Sequence, residues 1–177
     1  MDAAIPAYRS GLQLLDAPSA SGRQTVAPST AAVAWQQLAA ALLIRGEVAE
    51  AVSALNRALL LWPMLASARV YLGQAQARLG NWAQAIEEYR RAIATADGPA
   101  PPDQPVHLVP WFAWYLKGAA EAKLGRDAEA EHSLSEAIRL NPACTDAHTL
   151  LGLLRQLRNA APPIRDQHLA AQDARRG

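Results

Sequence analysis

The feature that most constrains this chain is a glycine that recurs at a fixed interval. Gly46 and Gly80 are 34 residues apart, and so are Gly118 and Gly152. Gly73 and Gly118 are separated by 45 residues, which is one such interval plus an insertion of eleven. A period of this length predicts a stack of small units, because one unit alone cannot bury its apolar face.

Alanines keep the same register as the glycines. Ala51 follows Gly46 by five residues and Ala58 follows by seven more, with the large apolar Leu55 between them. The equivalent residues of the next two units are Ala85, Tyr89 and Ala92 after Gly80, and Ala130, Leu134 and Ala137 after Gly125. Three units that agree in register predict one repeated structure.

The spacing indicates two amphipathic helices joined by a short turn in each unit. Gly46, Gly80 and Gly125 are expected to end the first helix with a positive φ, which glycine adopts without steric cost. The earlier glycines, Gly73, Gly118 and Gly152, lie two helical turns back, where a missing side chain lets a neighbouring helix approach. Pro63 and Pro142 cannot continue a helix, so they mark the ends of units.

From Ala32 to about Arg158, these residues resemble the tetratricopeptide repeat family. The resemblance rests on Trp35, Leu38, Ala39, Leu42, Gly46, Ala51, Leu55, Ala58 and Pro63 in the first unit, and on the glycines, alanines and large apolar residues above in the others. The chain departs from the family pattern at several positions: Arg69 replaces the opening aromatic residue, Lys117 replaces a leucine, and Asp97 replaces a closing proline. The aromatic residue expected near the middle of each first helix is replaced by Leu42, Gln76, Glu121 and Arg155. The resemblance implies an all-α solenoid of three complete repeats plus one further helix.

The chain divides into four segments. Residues 1–16 carry Ile5, Tyr8, Leu12 and Leu15 at helical spacing and are expected to form a short amphipathic helix. Residues 17–31 are predicted to be a flexible linker, 32–159 the repeat domain, and 160–177 a tail or capping helix. Within the repeat domain, the proline-rich residues 97–110 are expected to form an exposed insertion. Helices are predicted at about 32–45, 48–61, 66–79, 82–96, 111–124, 127–140 and 145–158.

Composition excludes several classes of protein. The 17 basic and 16 acidic residues give a net charge of +1, which argues against a strongly basic nucleic-acid binder. Cys144 is the single cysteine, so an internal disulfide and a cysteine-rich zinc site are excluded. The N-terminus lacks the features of a secretory signal, and the longest apolar run, Leu38 to Ile44, is far shorter than a membrane span. We therefore expect a cytoplasmic protein.

No catalytic or cofactor-binding motif occurs in the sequence. Phosphate-binding loops, dinucleotide fingerprints, zinc-protease helices and serine nucleophile elbows are missing, so we expect neither an enzyme nor a cofactor. Cys144 and His148 are four residues apart, but nothing nearby completes a metal site, and His148 is expected to pack at an opening aromatic position. Several arginines lie near the C-terminus without aromatic residues between them, which gives weak support for nucleic-acid binding.

The resemblance implies that the first helices line a concave groove. The groove is expected to be mostly apolar, with Arg78 and Lys123 on one side. The residues predicted to bind a partner there are Val33, Gln36, Leu43, Val70, Gln74, Arg78, Phe112, Tyr115, Lys123 and Leu153. Co-chaperone members of the family hold a peptide carboxylate with lysine and asparagine in the first unit. Gln36 and Ala40 stand at those positions, so that clamp is not expected here.

The predicted function is a non-catalytic scaffold or adaptor that binds a peptide or helix of a protein partner. Two alternatives stay open: self-assembly through end-to-end contacts at Leu150, Leu154 and Leu157, and an accessory role in positioning or stabilising an enzyme. Residues 1–16 are a further candidate occupant of the groove, of their own chain or of a neighbour. The linker that follows them is long enough to reach it.

Overall fold

Seven α-helices and no strand make up the part of the chain that the computed structural model describes, which is residues 27–96 and 110–160 with the single residue Pro6. The helices are α1 (Pro28–Arg45), α2 (Val48–Leu61), α3 (Ala66–Arg78), α4 (Trp82–Ala96), α5 (Pro110–Lys123), α6 (Asp127–Leu140) and α7 (Thr145–Ala160). The all-α prediction is confirmed. Apart from Pro6, the predicted helix at residues 1–16 lies outside the described residues, and so do residues 97–109 and all of the predicted tail at 160–177 except Ala160.

The helices pair as the glycine spacing predicts. In order, α1 packs on α2, α3 on α4 and α5 on α6. Gly46, Gly80 and Gly125 have φ values of 82°, 80° and 69°, and among the described residues positive φ occurs only at these three glycines. At the first turn, the Gly46 amide donates to the carbonyl of Leu43 and the Glu47 amide donates to that of Leu42, so the end of α1 is capped by backbone groups.

Helix α1 begins four residues earlier than the sequence predicts, at Pro28 rather than residue 32. Proline is well suited to the first turn of a helix, since its fixed φ is helical and its missing N–H would have no partner there. The linker before the repeats is correspondingly shorter. The other predicted helix bounds agree with the structure to within two residues.

Small residues let the two helices of each repeat lie close together. The repeated alanines of α2, α4 and α6 are fully buried: Ala51, Ala58, Ala85, Ala92, Ala130 and Ala137. On the facing first helices, Gly73 and Gly118 allow this close approach because they have no side chain. A Cβ at Gly73 would clash with the Tyr89 ring, and one at Gly118 would lie 2.9 Å from Leu134 Cγ. Tyr89 and Leu134 therefore sit in the space that these glycines leave open. Each fully buried large side chain contributes about 1.5–3 kcal/mol.

Candidate interaction surface

The first helices form an inner layer, and this layer sets the curvature of the stack. Within residues 27–96 and 110–160, α1 contacts α3, α3 contacts α5 and α5 contacts α7, whereas α2, α4 and α6 do not contact one another. Because neighbouring first helices lie closer together than neighbouring second helices, the inner layer is the concave side.

Three of the residues predicted to line the groove are buried within the inner layer. Gln36 is 7% exposed, Leu43 4% and Val70 3%. Leu43 belongs to the core of the first repeat, and Val70 packs with residues of α4 and α5. The Gln36 amide oxygen accepts a hydrogen bond from the hydroxyl of Ser67 on the neighbouring first helix. These side chains join one helix to the next, so they are not part of the accessible surface.

An aromatic pair lies near the start of α5, among the residues predicted to line the inner face. Phe112 and Tyr115 are both half-buried, and their rings stack with centroids 6.3 Å apart. Trp111 packs edge-on against Phe112, with centroids 5.5 Å apart. Burial raises the pKa of the Tyr115 hydroxyl, and the nearby acidic groups of Asp146 and Cys144 act in the same direction. Tyr115 therefore stays a neutral hydrogen-bond donor at neutral pH.

Two cations lie at the opposite ends of the first helices from this aromatic pair. Lys123 is the last residue of α5 and is exposed, eleven residues after Phe112, which corresponds to about 16 Å along a helix. Arg78, the last residue of α3, is exposed and donates a hydrogen bond to the carbonyl of Leu43. Leu153 of α7 is 50% exposed. Val33 and Gln74 are half-buried.

Lys117, which departs from the repeat pattern, belongs to a polar cluster that the sequence did not predict. Lys117 Nζ lies 2.6 Å from Glu121 Oε1 and donates to Ser133 Oγ at 2.9 Å, while Ser133 Oγ donates to Glu121 Oε2 at 2.6 Å. Glu121 is 3% exposed and Ser133 is fully buried. A lysine and a glutamate four residues apart were the signal in the sequence, since the other first helices have leucine at the Lys117 position and α1 has Leu42 at the Glu121 position.

This buried cluster has a structural role. Ser133 and Lys117 resemble the hydroxyl and amine of a nucleophile and its base, but the hydroxyl is fully buried and already donates to Glu121. Lys117 also lies over the Trp114 ring, 5.3 Å from its centroid. The cluster is therefore a satisfied part of the core between α5 and α6.

The pair Cys144 and His148 forms no metal site with its neighbours. In the described parts of the chain, no group of three or more histidine, cysteine, aspartate or glutamate residues could hold an ion. Cys144 is buried, and a ring nitrogen of His148 lies 3.0 Å from the carbonyl oxygen of Pro142. His148 is exposed, which corrects the expectation that it packs at an aromatic position. None of the helices in the described residues has both the length and the apolar content needed to cross a bilayer.

Two family models for the tetratricopeptide repeat match the sequence, one over residues 37–102 and the other over residues 111–144. Together they cover more than half of the 177 residues. The chain belongs to the tetratricopeptide repeat family. A search of curated protein sequences found no match.

Solved structures of the same family share this fold at low sequence identity. MamA is 22% identical with a TM-score of 0.69, and the match covers 89% of this chain and 78% of that one. The first repeat domain of Spaghetti (RPAP3), bound to an HSP90 peptide, is 19% identical with a TM-score of 0.65, covering 75% and 96%. The second repeat domain of human RPAP3, in complex with an HSP70 peptide, is 19% identical with a TM-score of 0.63, covering 72% and 98%.

Proposed function

We propose that this protein is a non-catalytic interaction module that holds a peptide or helix of a partner protein against the inner face of α5. The observation that supports the proposal is the stacked pair Phe112 and Tyr115, whose rings are only half-buried on the first helix α5. By contrast, Gln36, Leu43 and Val70 are buried between helices. Half-buried aromatic rings on a rigid helix are typical anchors of protein interfaces.

The partner would bury apolar side chains against the aromatic pair and place an acidic group near the cationic end of α5. Each large side chain that becomes buried contributes about 1.5–3 kcal/mol before the costs of ordering. Lys123 attracts an acidic group mainly through long-range electrostatics, so it is expected to affect the association rate more than the affinity. A long amphipathic segment with both features fits this surface best.

Peptide binding by relatives supports the general function but not the same ligand. The two RPAP3 domains hold HSP90 and HSP70 peptides. The carboxylate clamp that the resemblance assigns to co-chaperones has Gln36 and Ala40 at its positions in this chain, and Gln36 is buried. We therefore propose a partner other than a chaperone tail.

The test compares capture and binding by the native protein with two variants. Partners captured from the host are identified by mass spectrometry, and the binding segment is then made as a synthetic peptide. Phe112→Ala with Tyr115→Ala should lower the peptide affinity at least tenfold. The matched control removes two exposed apolar side chains elsewhere, Leu60→Ala with Met64→Ala, which are 78% and 58% exposed.

Circular dichroism shows whether each variant keeps its helical content. Equal affinity of the Phe112/Tyr115 double variant and the native protein, with helical content unchanged, would remove the inner face of α5 as the binding site. An equal loss of peptide affinity in the Leu60/Met64 control variant would also count against this binding site.

A further inference from the structure

Helix α7 differs from the other first helices because, within the described residues, no second helix of its own repeat follows it and packs on it. It contacts only α6 and α5. Gly73 of α3 and Gly118 of α5 are buried under Tyr89 and Leu134, whereas Gly152 is half-exposed and a Cβ added there would meet nothing within 4 Å. The same position that receives a large side chain in two repeats is thus open in the fourth.

The repeat pattern defines what would fill this opening. Each second helix carries an alanine, a large apolar residue four positions later, a small residue after three more, and an apolar residue directly after that. These residues are Ala51, Leu55, Ala58 and Leu59 in α2, Ala85, Tyr89, Ala92 and Ile93 in α4, and Ala130, Leu134, Ala137 and Ile138 in α6.

The segment at residues 4–12 has the same pattern, with Ala4, Tyr8, Gly11 and Leu12. It matches α4 most closely, since AIPAYRSGL at 4–12 aligns without gaps to AIEEYRRAI at 85–93. Pro6 falls at an outward position of this pattern and is exposed, and proline is tolerated in a first helical turn.

The residues that follow α7 fit the opening less well. At the spacing from Gly152 that the other repeats use, they have Ile164 in place of the alanine and His168 in place of the large apolar residue. A bulky residue at the close-contact position and a polar residue at the buried position both oppose packing there.

We propose that residues 4–15 of one copy pack on α7 of a second copy as the missing second helix, with Tyr8 over Gly152 as Tyr89 lies over Gly73. The donor segment precedes α1 in the sequence, and α1 and the acceptor helix α7 are the first and last described helices of the stack. The contact is therefore head-to-tail and leaves a free donor and a free acceptor at the two ends. Such contacts close into a ring where the rotation between copies allows it, and otherwise give open assemblies that lengthen with concentration.

A second copy is favoured over the same chain by the length of the connection. Residues 16–27 join the segment to α1, and twelve residues reach at most about 40–43 Å when fully extended. A path from the start of α1 to the far side of α7 crosses three helix spacings of about 8–10 Å each and then passes around α7. The same chain could complete its own α7 only with an almost straight linker, at a large cost in conformational entropy.

The test measures the mass of the full-length protein by light scattering over a hundredfold range of concentration. The measured mass of the native protein should rise with concentration from the 19.0 kDa of one chain to multiples of that mass. The Tyr8→Ala and Gly152→Leu variants should each keep the mass of one chain at every concentration. Gly152→Leu is expected to fold normally because the added side chain enters open space. Gln13→Ala in the segment and Ser135→Leu on the exposed face of α6 are the matched controls and should assemble like the native protein.

Mixing the two monomeric variants is the decisive step. The Tyr8→Ala chain keeps an open α7 and the Gly152→Leu chain keeps an intact segment, so together they should form a complex of about twice the mass of one chain. A native protein that stays at one chain throughout, or variants that fail to combine, would overturn the proposal. So would loss of assembly in the Phe112/Tyr115 double variant, because that result would place the segment in the inner groove.

Discussion

The first and third repeats fill the same space between their two helices with different residues. The three positions are equivalent, and they hold Leu38, Leu42 and Ala54 in the first repeat but Lys117, Glu121 and Ser133 in the third. All three are buried in the first repeat. In the third, each polar group bonds to the other two. One backbone arrangement thus accepts either an apolar or a fully paired polar interior.

The apolar interior of the first repeat and the polar interior of the third should respond differently to the removal of one side chain. Apolar contacts are non-directional, so neighbouring groups can partly close a gap. A buried ion pair has no such tolerance, because removal of one partner leaves the other charge desolvated and without compensation. Single substitutions in this interior should therefore destabilise the third repeat more than the first. The buried charges do not by themselves make the third repeat more stable.

Glu121→Ala should have the largest effect. It leaves the Lys117 ammonium, whose side chain is 14% exposed, without its carboxylate partner, and it removes the acceptor of the Ser133 hydroxyl. We expect the free energy of unfolding to fall by about 3–5 kcal/mol. Equilibrium denaturation with urea measures it.

The control for this prediction converts the third repeat to the chemistry of the first. The triple variant Lys117→Leu, Glu121→Leu and Ser133→Ala removes all three polar groups together. Since a buried ion pair replaced by apolar residues is often neutral or stabilising, this variant should be at least as stable as the native protein. A triple variant less stable than Glu121→Ala alone would show that the comparison is wrong.

Alanine at Gly73 and at Gly152 should have opposite effects. Gly73→Ala places a Cβ against the Tyr89 ring, which is 2% exposed, so overpacking should lower the free energy of unfolding by about 1–2 kcal/mol. Gly152→Ala meets open space and should raise it by about 0.5–1 kcal/mol, because alanine favours helix. Thermal unfolding of dilute protein measures both, and equal effects of one sign would contradict the packing described here.

The smallest effect concerns an exposed ion pair, which contrasts with the buried one. A hydrogen bond from Arg90, with help from Arg91, lowers the pKa of Glu87 from 4.5 to about 2. Because the pKa is lower in the folded chain, the stabilisation is complete above pH 4.5 and is lost as the pH falls toward 2. A carboxyl NMR titration of Glu87 should give this low pKa in dilute buffer and a value nearer 4.5 in 1 M salt. No change with salt would mean that the pair is shielded from solvent.

The sequence was sufficient to predict the helices and their pairing, because the responsible residues act locally. Gly46 ends a helix by its φ value, and Gly73 is needed because Tyr89 lies over it. Such effects recur with the period and can be read without the structure. The early start of α1 at Pro28 was missed because proline marks a helix start as well as a helix end.

The interaction surface was only partly predictable. The repeat register identifies the inner layer, but it does not show which inner residues the next helix covers. Val70 is covered by α4 and α5, whereas Phe112, at another inner-layer position, stays half-buried. The buried cluster around Glu121 escaped prediction because its three members become partners only when α5 and α6 pack together.

The most direct test of the central claim, that the concave inner layer is the binding side, is amide NMR of the protein titrated with its partner peptide. The account predicts that the shifted signals belong to α3 and α5, centred on residues next to Phe112 and Tyr115. Signals that shift only in α2, α4 and α6 would contradict it.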